Sequence, residues 1–431
     1  MKWPETPLSK IVDEAESGTW GSPPKEDGHD FPVLRSTNIH DAKLVWGEVA
    51  FRSVSERLAK RYRLIDGDII ITTSSGSKDL IGKNALFYQP EDGRCYLFSN
   101  FTFRCRPKKE VVLPMYLHFY LNSSRAKKEL LRIQSTTSGL RNLNIPLYLG
   151  QPIPLPSLSE QQRIVEILDQ ADALRKKRSE ADAKAARILP ALFYKMFGDP
   201  LNLMMSNNAV PLGQMEIKIQ NGFACGEKNV LDGIPHLRMN NIDDAGVLNL
   251  DLIRTVPEDR DEEKYRLKAG DVLFMGTNSE DKVGKSCVFY PPDNRHYLFS
   301  NHLFRIRVRD HRISPEFLSF FLHLLWGKKF YPSIAKRWVN QASVAQDALL
   351  RIRIPIPLRA ALDNFTEVFK QILIIRDYRQ KNFEKIETTF RYLLHRAFSG
   401  DLTAKWREAH LKKLLAEMGQ QAKGLNLRID Q

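Results

Sequence analysis

Cysteine is scarce in this chain of 431 residues: Cys95, Cys105, Cys225 and Cys287 are the whole complement. No two of them form a C-x-x-C pair, which argues against a structural zinc site and against a disulfide framework. Long apolar runs are missing as well, and no stretch approaches the ~20 residues of a membrane span. The opening MKWPETPLSKIVDEAES has no apolar segment of the secretory kind, so a cytoplasmic protein with reduced thiols is expected. Signatures of catalysis are equally thin. Neither H-E-x-x-H nor G-x-S-x-G occurs, and the ten histidines are scattered. The Asn-Pro-Pro-aromatic element of an adenine methyltransferase is absent. The loop 74–83 fails as a P-loop, because five residues separate Gly76 from Gly82 and Asn84 replaces the magnesium-binding hydroxyl. The acidic stretch 257–264 carries Val54, Ala59 and Arg61 at duplicate positions in the other half of the chain and reads as a solvated turn. No catalytic residue and no metal ligand is predicted.

Positive charge is abundant, with a net charge of +14. Residues 1–159 hold 22 Lys and Arg against 17 Asp and Glu, and residues 200–359 hold 22 against 18, whereas 160–199 are nearly balanced at 8 against 7. Two matching basic blocks suggest two surfaces for a polyanion.

The blocks match in wording too. Phe31-Pro32-Val33-Leu34-Arg35-Ser36-Thr37-Asn38-Ile39 aligns with Ile234-Pro235-His236-Leu237-Arg238-Met239-Asn240-Asn241-Ile242 at an offset of 203. Tyr96-Leu97-Phe98-Ser99-Asn100 returns as Tyr297-Leu298-Phe299-Ser300-Asn301 at an offset of 201, which also carries Ile153-Pro154 to Ile354-Pro355. The chain is therefore a tandem duplication, with units too long for a solenoid array.

Each unit reads as a globule and then a helix. In the first globule, 68–73 and 101–106 are strand-like, and Met115 to Leu121 suits a packed helix after Pro114. The prolines of 152–156 favour an extended linker. Ser159 is the expected N-cap of a long helix. Its narrow seam would be Ile164, Ile167, Ala171, Leu174, Arg178, Ala181, Ala185, Ile188 and Leu192. The twin seam would run Leu362, Phe365, Phe369, Ile372, Arg376, Arg379, Phe383, Ile386, Phe390 and Leu393. Two apolar positions per seven point to coiled-coil packing of one helix on the other. Pro190 should kink or end the first helix. The expected fold is mixed α+β: two tandem globular domains, separated by two long antiparallel coiled-coil helices and related by a pseudo-twofold repeat. The boundaries are 1–157 and 200–358 for the globules, 158–199 and 359–400 for the spacer helices, and 401–431 for a tail.

Hydroxyls, amides and cations in loops are what contacts to phosphates and base edges use. The candidates for DNA contact are Arg35, Asn38, Ser74, Ser75, Lys78, Lys83, Arg141 and Asn142 in the first half. Those of the second half are Arg238, Asn241, Thr277, Asn278, Lys282, Lys285, Arg337, Asn340 and Gln341. For Arg35 and Asn38 and their twins, the competing reading is a structural arginine and a turn-forming asparagine.

The segment 145-IPLYLGQPIPLPSLSEQQRIVEILDQADALRKKR-178 resembles the specificity subunit of Type I restriction–modification systems. Its Pro154-Leu155-Pro156 linker is followed by Glu160-Gln161-Gln162-Arg163-Ile164-Val165, and 139–143, 192–198, 397–403 and 406–408 also resemble family segments. The second copy departs from the pattern, with Ala361-Leu362-Asp363 in place of Glu-Gln-Gln. The resemblance implies a non-catalytic subunit whose two target-recognition domains each read half of a bipartite site in double-stranded DNA. It further implies that the helices set the gap and dock two methyltransferase subunits, with Glu160, Gln161, Gln162 and Arg163 as candidate partner contacts. Restriction subunits with motor and nuclease activity would join the complex. S-adenosylmethionine, ATP and magnesium would belong to these partners and not to this chain. The alternatives are a recognition subunit of a Type II-like or methylation-only system, and a stand-alone DNA- or RNA-binding adaptor.

Overall fold

The computed structural model describes residues 3–24, 30–75, 80–137, 140–226 and 229–425; Lys78 lies outside the described residues. Two compact units divide the chain: Met1–Arg178 with Asn382–Gln431, and Ser179–Lys381. Each unit takes one copy of the globule together with part of both long helices. The principal helices are α1 (Pro114–Leu121), α2 (Leu158–Ala186), α3 (Ile188–Met196), α4 (Pro315–Gly327), α5 (Arg359–Ser399) and α6 (Leu411–Gly424). Among the described residues no helix is long and apolar enough to cross a membrane.

Unit 1 is built on strands β1 (Val12–Ser17), β2 (Ile69–Thr72), β3 (Ser74–Ser75), β4 (Asn84–Leu86), β5 (Thr102–Pro107), β6 (Gln134–Thr137) and β7 (Leu140–Leu143). An antiparallel sheet runs in the order β1-β5-β2-β4. Its inner strand β2 carries three successive isoleucines, Ile69, Ile70 and Ile71, because both faces are covered. Ile69 and Ile71 pack with Tyr116 and Leu117 of α1, while Ile70 packs on the other side with Leu34, Phe87 and Phe98. Unit 2 repeats the plan with β8 (Ile217–Asn221), β9 (Val272–Met275), β10 (Thr277–Asn278), β11 (Ser286–Val288), β12 (Leu303–Val308), β13 (Lys336–Trp338) and β14 (Gln341–Ser343). Here the order is β8-β12-β9-β11, and Val272 and Phe274 face α4 while Leu273 and Met275 face a second cluster around Phe299. The proline linkers are extended, as expected: Ile153 pairs with Thr6 and Ile354 with Val210 in two-stranded edges.

The long helices match the expected plan in outline and correct it in detail. Ser157, not Ser159, caps α2, its hydroxyl accepting from the Glu160 N–H at 3.3 Å. The break before α3 falls at Arg187, three residues ahead of Pro190, whose ring lacks the N–H that would bond the Ala186 carbonyl. In unit 1, Ile164 and Leu168 pack with Phe390, Leu394 and Phe398, and Arg175 forks onto Glu387 at 2.7 and 2.8 Å. In unit 2, Leu189 and Phe193 pack with Leu362, Phe365 and Phe369, and Arg379 pairs with Asp182. Within each unit, then, the two helical segments run antiparallel. The predicted seam of the first helix is corrected at Leu174 and Ile188, which are 64% and 54% exposed, and at Ile167, beside which Leu168 takes the buried place. Real helices turn by 3.6 residues, so a strict two-per-seven stripe drifts off the contact line unless the helices supercoil to hold it.

Candidate nucleic-acid interface

The turn after the strand Asp30–Leu34 in unit 1 is repeated after the strand Ile234–Leu237 in unit 2. Asn38 accepts from the Arg35 N–H at 2.9 Å and donates to the carbonyls of Val45 and Glu48 at 3.1 and 3.3 Å. Asn241 accepts from the Arg238 N–H at 2.8 Å and donates to Asn249 and Leu252 at 2.8 and 3.2 Å. With 2% and 1% exposure and every amide atom engaged, neither asparagine can meet a base edge. Both are corrected to turn-forming residues. Arg35 is half-buried and donates to the Glu48 carbonyl at 3.0 Å. Arg238 is half-buried, and its guanidinium is lowered by burial and by the neighbouring Arg254. His302, held down by burial and by Arg238, supplies the carbonyl that accepts from Gly276 and Thr277. Arg254 and His302 are not among the sequence candidates; at their offsets stand Phe51 and Phe101, both exposed in unit 1.

Each unit also folds a small antiparallel sheet that gathers distant parts of the chain. In unit 1 the order is β6-β7-β3: Arg141 stands opposite Ser75 and Thr136, and Asn142 opposite Ser74 and Ser135. Ser74 donates its hydroxyl to the Asn142 amide oxygen at 2.6 Å. In unit 2 the order is β10-β14-β13: Thr277 faces Ser343 and Asn278 faces Ala342, while Lys336, Arg337 and Trp338 lie opposite Ser343, Ala342 and Gln341. Asn340 takes the left-handed conformation at the hairpin tip, φ 61°, which asparagine tolerates better than most residues. Lys336, Arg337, Trp338, Val339, Asn340 and Gln341 are all exposed. Arg337 pairs with Glu280 at 3.0 Å. Asn278 is turned inward, accepting from the Ser279 N–H at 2.7 Å, with its amide nitrogen 3.0 Å from the Met275 sulfur.

The candidate lysines separate. Lys282 is exposed and Lys83 half-buried. Lys285 is corrected to a structural residue: only 5% exposed, it pairs with Asp244 and lies 4.9 Å from the centre of the Trp326 ring.

Two of the four candidate partner contacts are interior. Glu160 is 1% exposed and accepts from Trp3 at 3.0 Å, Thr403 at 2.6 Å and Arg407 at 2.7 Å. Gln161 is fully buried and donates to the carbonyls of Val111 and Pro156, which Gln421 of α6 also meets. The segment 400–424 thus closes over the start of α2, and Glu417 accepts from both the N–H and the hydroxyl of Ser159. Gln162 and Arg163 remain exposed, both directed at Glu166. Among the described residues no cluster of His, Cys, Asp and Glu is arranged to hold a metal ion.

The family model for the Type I restriction modification DNA specificity domain matches residues 15–181. The chain is 24% identical over 394 residues to the Type I restriction enzyme StySPI specificity subunit of Salmonella potsdam, covering 87% of this chain and 83% of that protein. It is 25% identical over 398 residues to the EcoKI specificity subunit of Escherichia coli K12, with the same coverage. The crystal structure of a Type I restriction–modification S subunit from M. genitalium shares the fold, at a TM-score of 0.53 and 11% identity over 92% of this chain and 96% of that one. By a family model over residues 15–181 and by relatives that span most of its length, the chain is similar to the DNA specificity subunits of Type I restriction–modification systems.

Proposed function

We propose that this chain is the address of its complex: unit 1 reads one half of a bipartite site in double-stranded DNA and unit 2 reads the other. The long helices set the gap between the halves and dock two methyltransferase subunits. Methyl transfer from S-adenosylmethionine then belongs to those subunits, and ATP- and magnesium-dependent translocation and cleavage belong to restriction subunits. The observation that carries this reading is the small sheet in each unit. It joins β3 to β7 and β10 to β14, segments more than sixty residues apart in sequence, and lines them with hydroxyl, amide and cationic side chains. Such groups position phosphates and read base edges. Docking along the helices is supported in unit 2 by Ile374, Ile375 and Tyr378 of α5, which are 58%, 55% and 65% exposed. The groove beside Ile374 and Tyr378, about 760 Å³ in volume, is walled by Leu250, Pro291 and Leu373. An apolar run of this kind on a helix face marks a protein contact.

The test exchanges residues 1–157 for the first recognition domain of another specificity subunit and maps methylated adenines after co-expression with the methyltransferase. One half of the modified sequence should change and the other should stay. A change in both halves, or methyl transfer by the isolated chain, would overturn the reading.

A further inference from the structure

The hairpin of unit 2 ends in an apolar tip with no internal explanation. Trp338 is 59% exposed and Val339 is 91% exposed, at the point of a two-residue turn made by Val339 and Asn340. Neither side chain belongs to a core cluster among the described residues. Leaving two adjacent large apolar groups in water is unfavourable, and such a feature marks a surface that a partner covers. The partner's character follows from the flanks. Lys336 and Arg337 directly precede the tip, and Lys282 is exposed on the neighbouring loop. Register places Lys336, Trp338, Gln341, Ser343 and Thr277 on one face of the sheet, since cross-strand partners share a face and alternate residues return to it. That face thus sets one cation that would attract a phosphate, Lys336, beside an indole and an amide.

A two-stranded ribbon fits the major groove of B-form DNA, and the apolar group on that groove's floor is the C5 methyl of thymine. Resting on the reading that unit 2 recognises half of a duplex site, we propose that the β13–β14 hairpin enters the major groove there and that Trp338, backed by Val339, reads a thymine through its methyl group. The amide of Gln341, paired across the ribbon from Trp338, is placed to meet an adjacent adenine, whose N6 and N7 a glutamine can engage together. Arg337 anchors the hairpin to its own unit through Glu280 and through the Pro332 carbonyl at 3.2 Å, so the tip is presented on a fixed ribbon. The equivalent turn of unit 1 is spelled Ser138-Gly139 and offers no apolar group, so the proposal concerns unit 2 alone.

The experiment uses the full chain in complex with its methyltransferase. The modified sequence is mapped in genomic DNA, and the half read by unit 2 is identified by exchanging residues 1–157. Duplexes carrying the mapped site are then prepared with each thymine of that half replaced in turn by deoxyuridine, which lacks only the methyl group. At one position the wild-type complex should bind about fourfold more weakly, the loss expected for one buried methyl. The Trp338→Ala complex should bind the thymine and deoxyuridine duplexes alike, and Trp338→Phe should keep the discrimination. Equal binding of all duplexes by the wild-type complex, or discrimination that survives Trp338→Ala, overturns the proposal. If the mapped site has no half that stays constant in the domain exchange, the underlying two-unit reading fails with it, and the two failures are told apart.

Discussion

Arg106 forks onto Asp68 at 2.8 and 2.9 Å in unit 1, and Arg307 forks onto Asp271 at 2.7 and 2.7 Å in unit 2. Asn38 and Asn241 close the same turn with the same set of bonds. Two residues before Arg106 and Arg307, on the same strands, the agreement is partial. Arg104 and Arg305 both donate to two backbone carbonyls, but Arg104 also lies between Glu14 and Glu16 where Arg305 meets the neutral Gln220. On the small sheets the difference is complete: Ser135, Thr136 and Thr137 stand in the register that Lys336, Arg337 and Trp338 hold in unit 2. Bonds that shape the backbone are duplicated, and the residue types on the small sheets are not. A framework residue is constrained by its own chain and an outward residue by what it meets, which is the pattern the proposed reading of two half-sites requires.

That comparison can be pressed at three points. The largest expected effect is at Glu160, whose counterpart by the repeat is Ala361. Glu160→Ala leaves Arg407 buried without its carboxylate, and unit 1 should lose about 3–5 kcal/mol in urea unfolding. Ala361→Ser in unit 2, at a half-buried helix position, should shift stability by less than about 0.5 kcal/mol. A second difference lies in acid. Burial lowers His118 in unit 1 and both His236 and His323 in unit 2 to about 4. A histidine that titrates near 6.5 when unfolded and near 4 when folded costs nothing above pH 6.5. It withdraws stability as pH falls from 6.5 towards 4, because the unfolded chain then binds more protons. Unit 2 should therefore weaken more steeply than unit 1 over that range. His236→Val, which installs the residue found at Val33 in unit 1, should recover about 1–3 kcal/mol at pH 4.5 and none at pH 8, read by thermal melting across pH. The smallest effect is electrostatic. Lys336→Ala should lower the slope of log affinity against log salt by about 0.9 on duplex DNA if it meets one phosphate, while Ser135→Ala should leave the slope unchanged.

How much of this could be read in advance differs by element. The strands 69–72 and 102–107 announced themselves through β-branched and alternating residues, and α1 through Pro114 and an apolar run. The cap at Ser157 was missed because two serines stand two residues apart, and the choice between them is made by the extended Pro154-Leu155-Pro156 that delivers the chain to the helix. Glu160 and Gln161 looked like exposed polar residues at the head of a helix. They are interior because Arg407, Thr403 and Gln421, some 240 to 260 residues later, fold over them. No local pattern carries that information. Asn38 stood between a DNA contact and a turn-forming residue, and its bonds to Val45 and Glu48 decide for the turn, while Lys285 is drawn inward by Asp244 on a separate loop.

The sequence by itself determined the duplication, the two-part plan of each copy and the absence of assembled catalytic motifs. Repetition, hydrophobic period and short motifs are properties of order along the chain. Only the tertiary structure decided which candidates share a surface. It set Ser74 against Asn142 and Thr277 against Ser343, and it left Trp338 and Val339 at an open tip. Contacts across a sheet depend on strand register between segments far apart in the chain. That register is fixed by the packing of the whole unit and not by the wording of either strand.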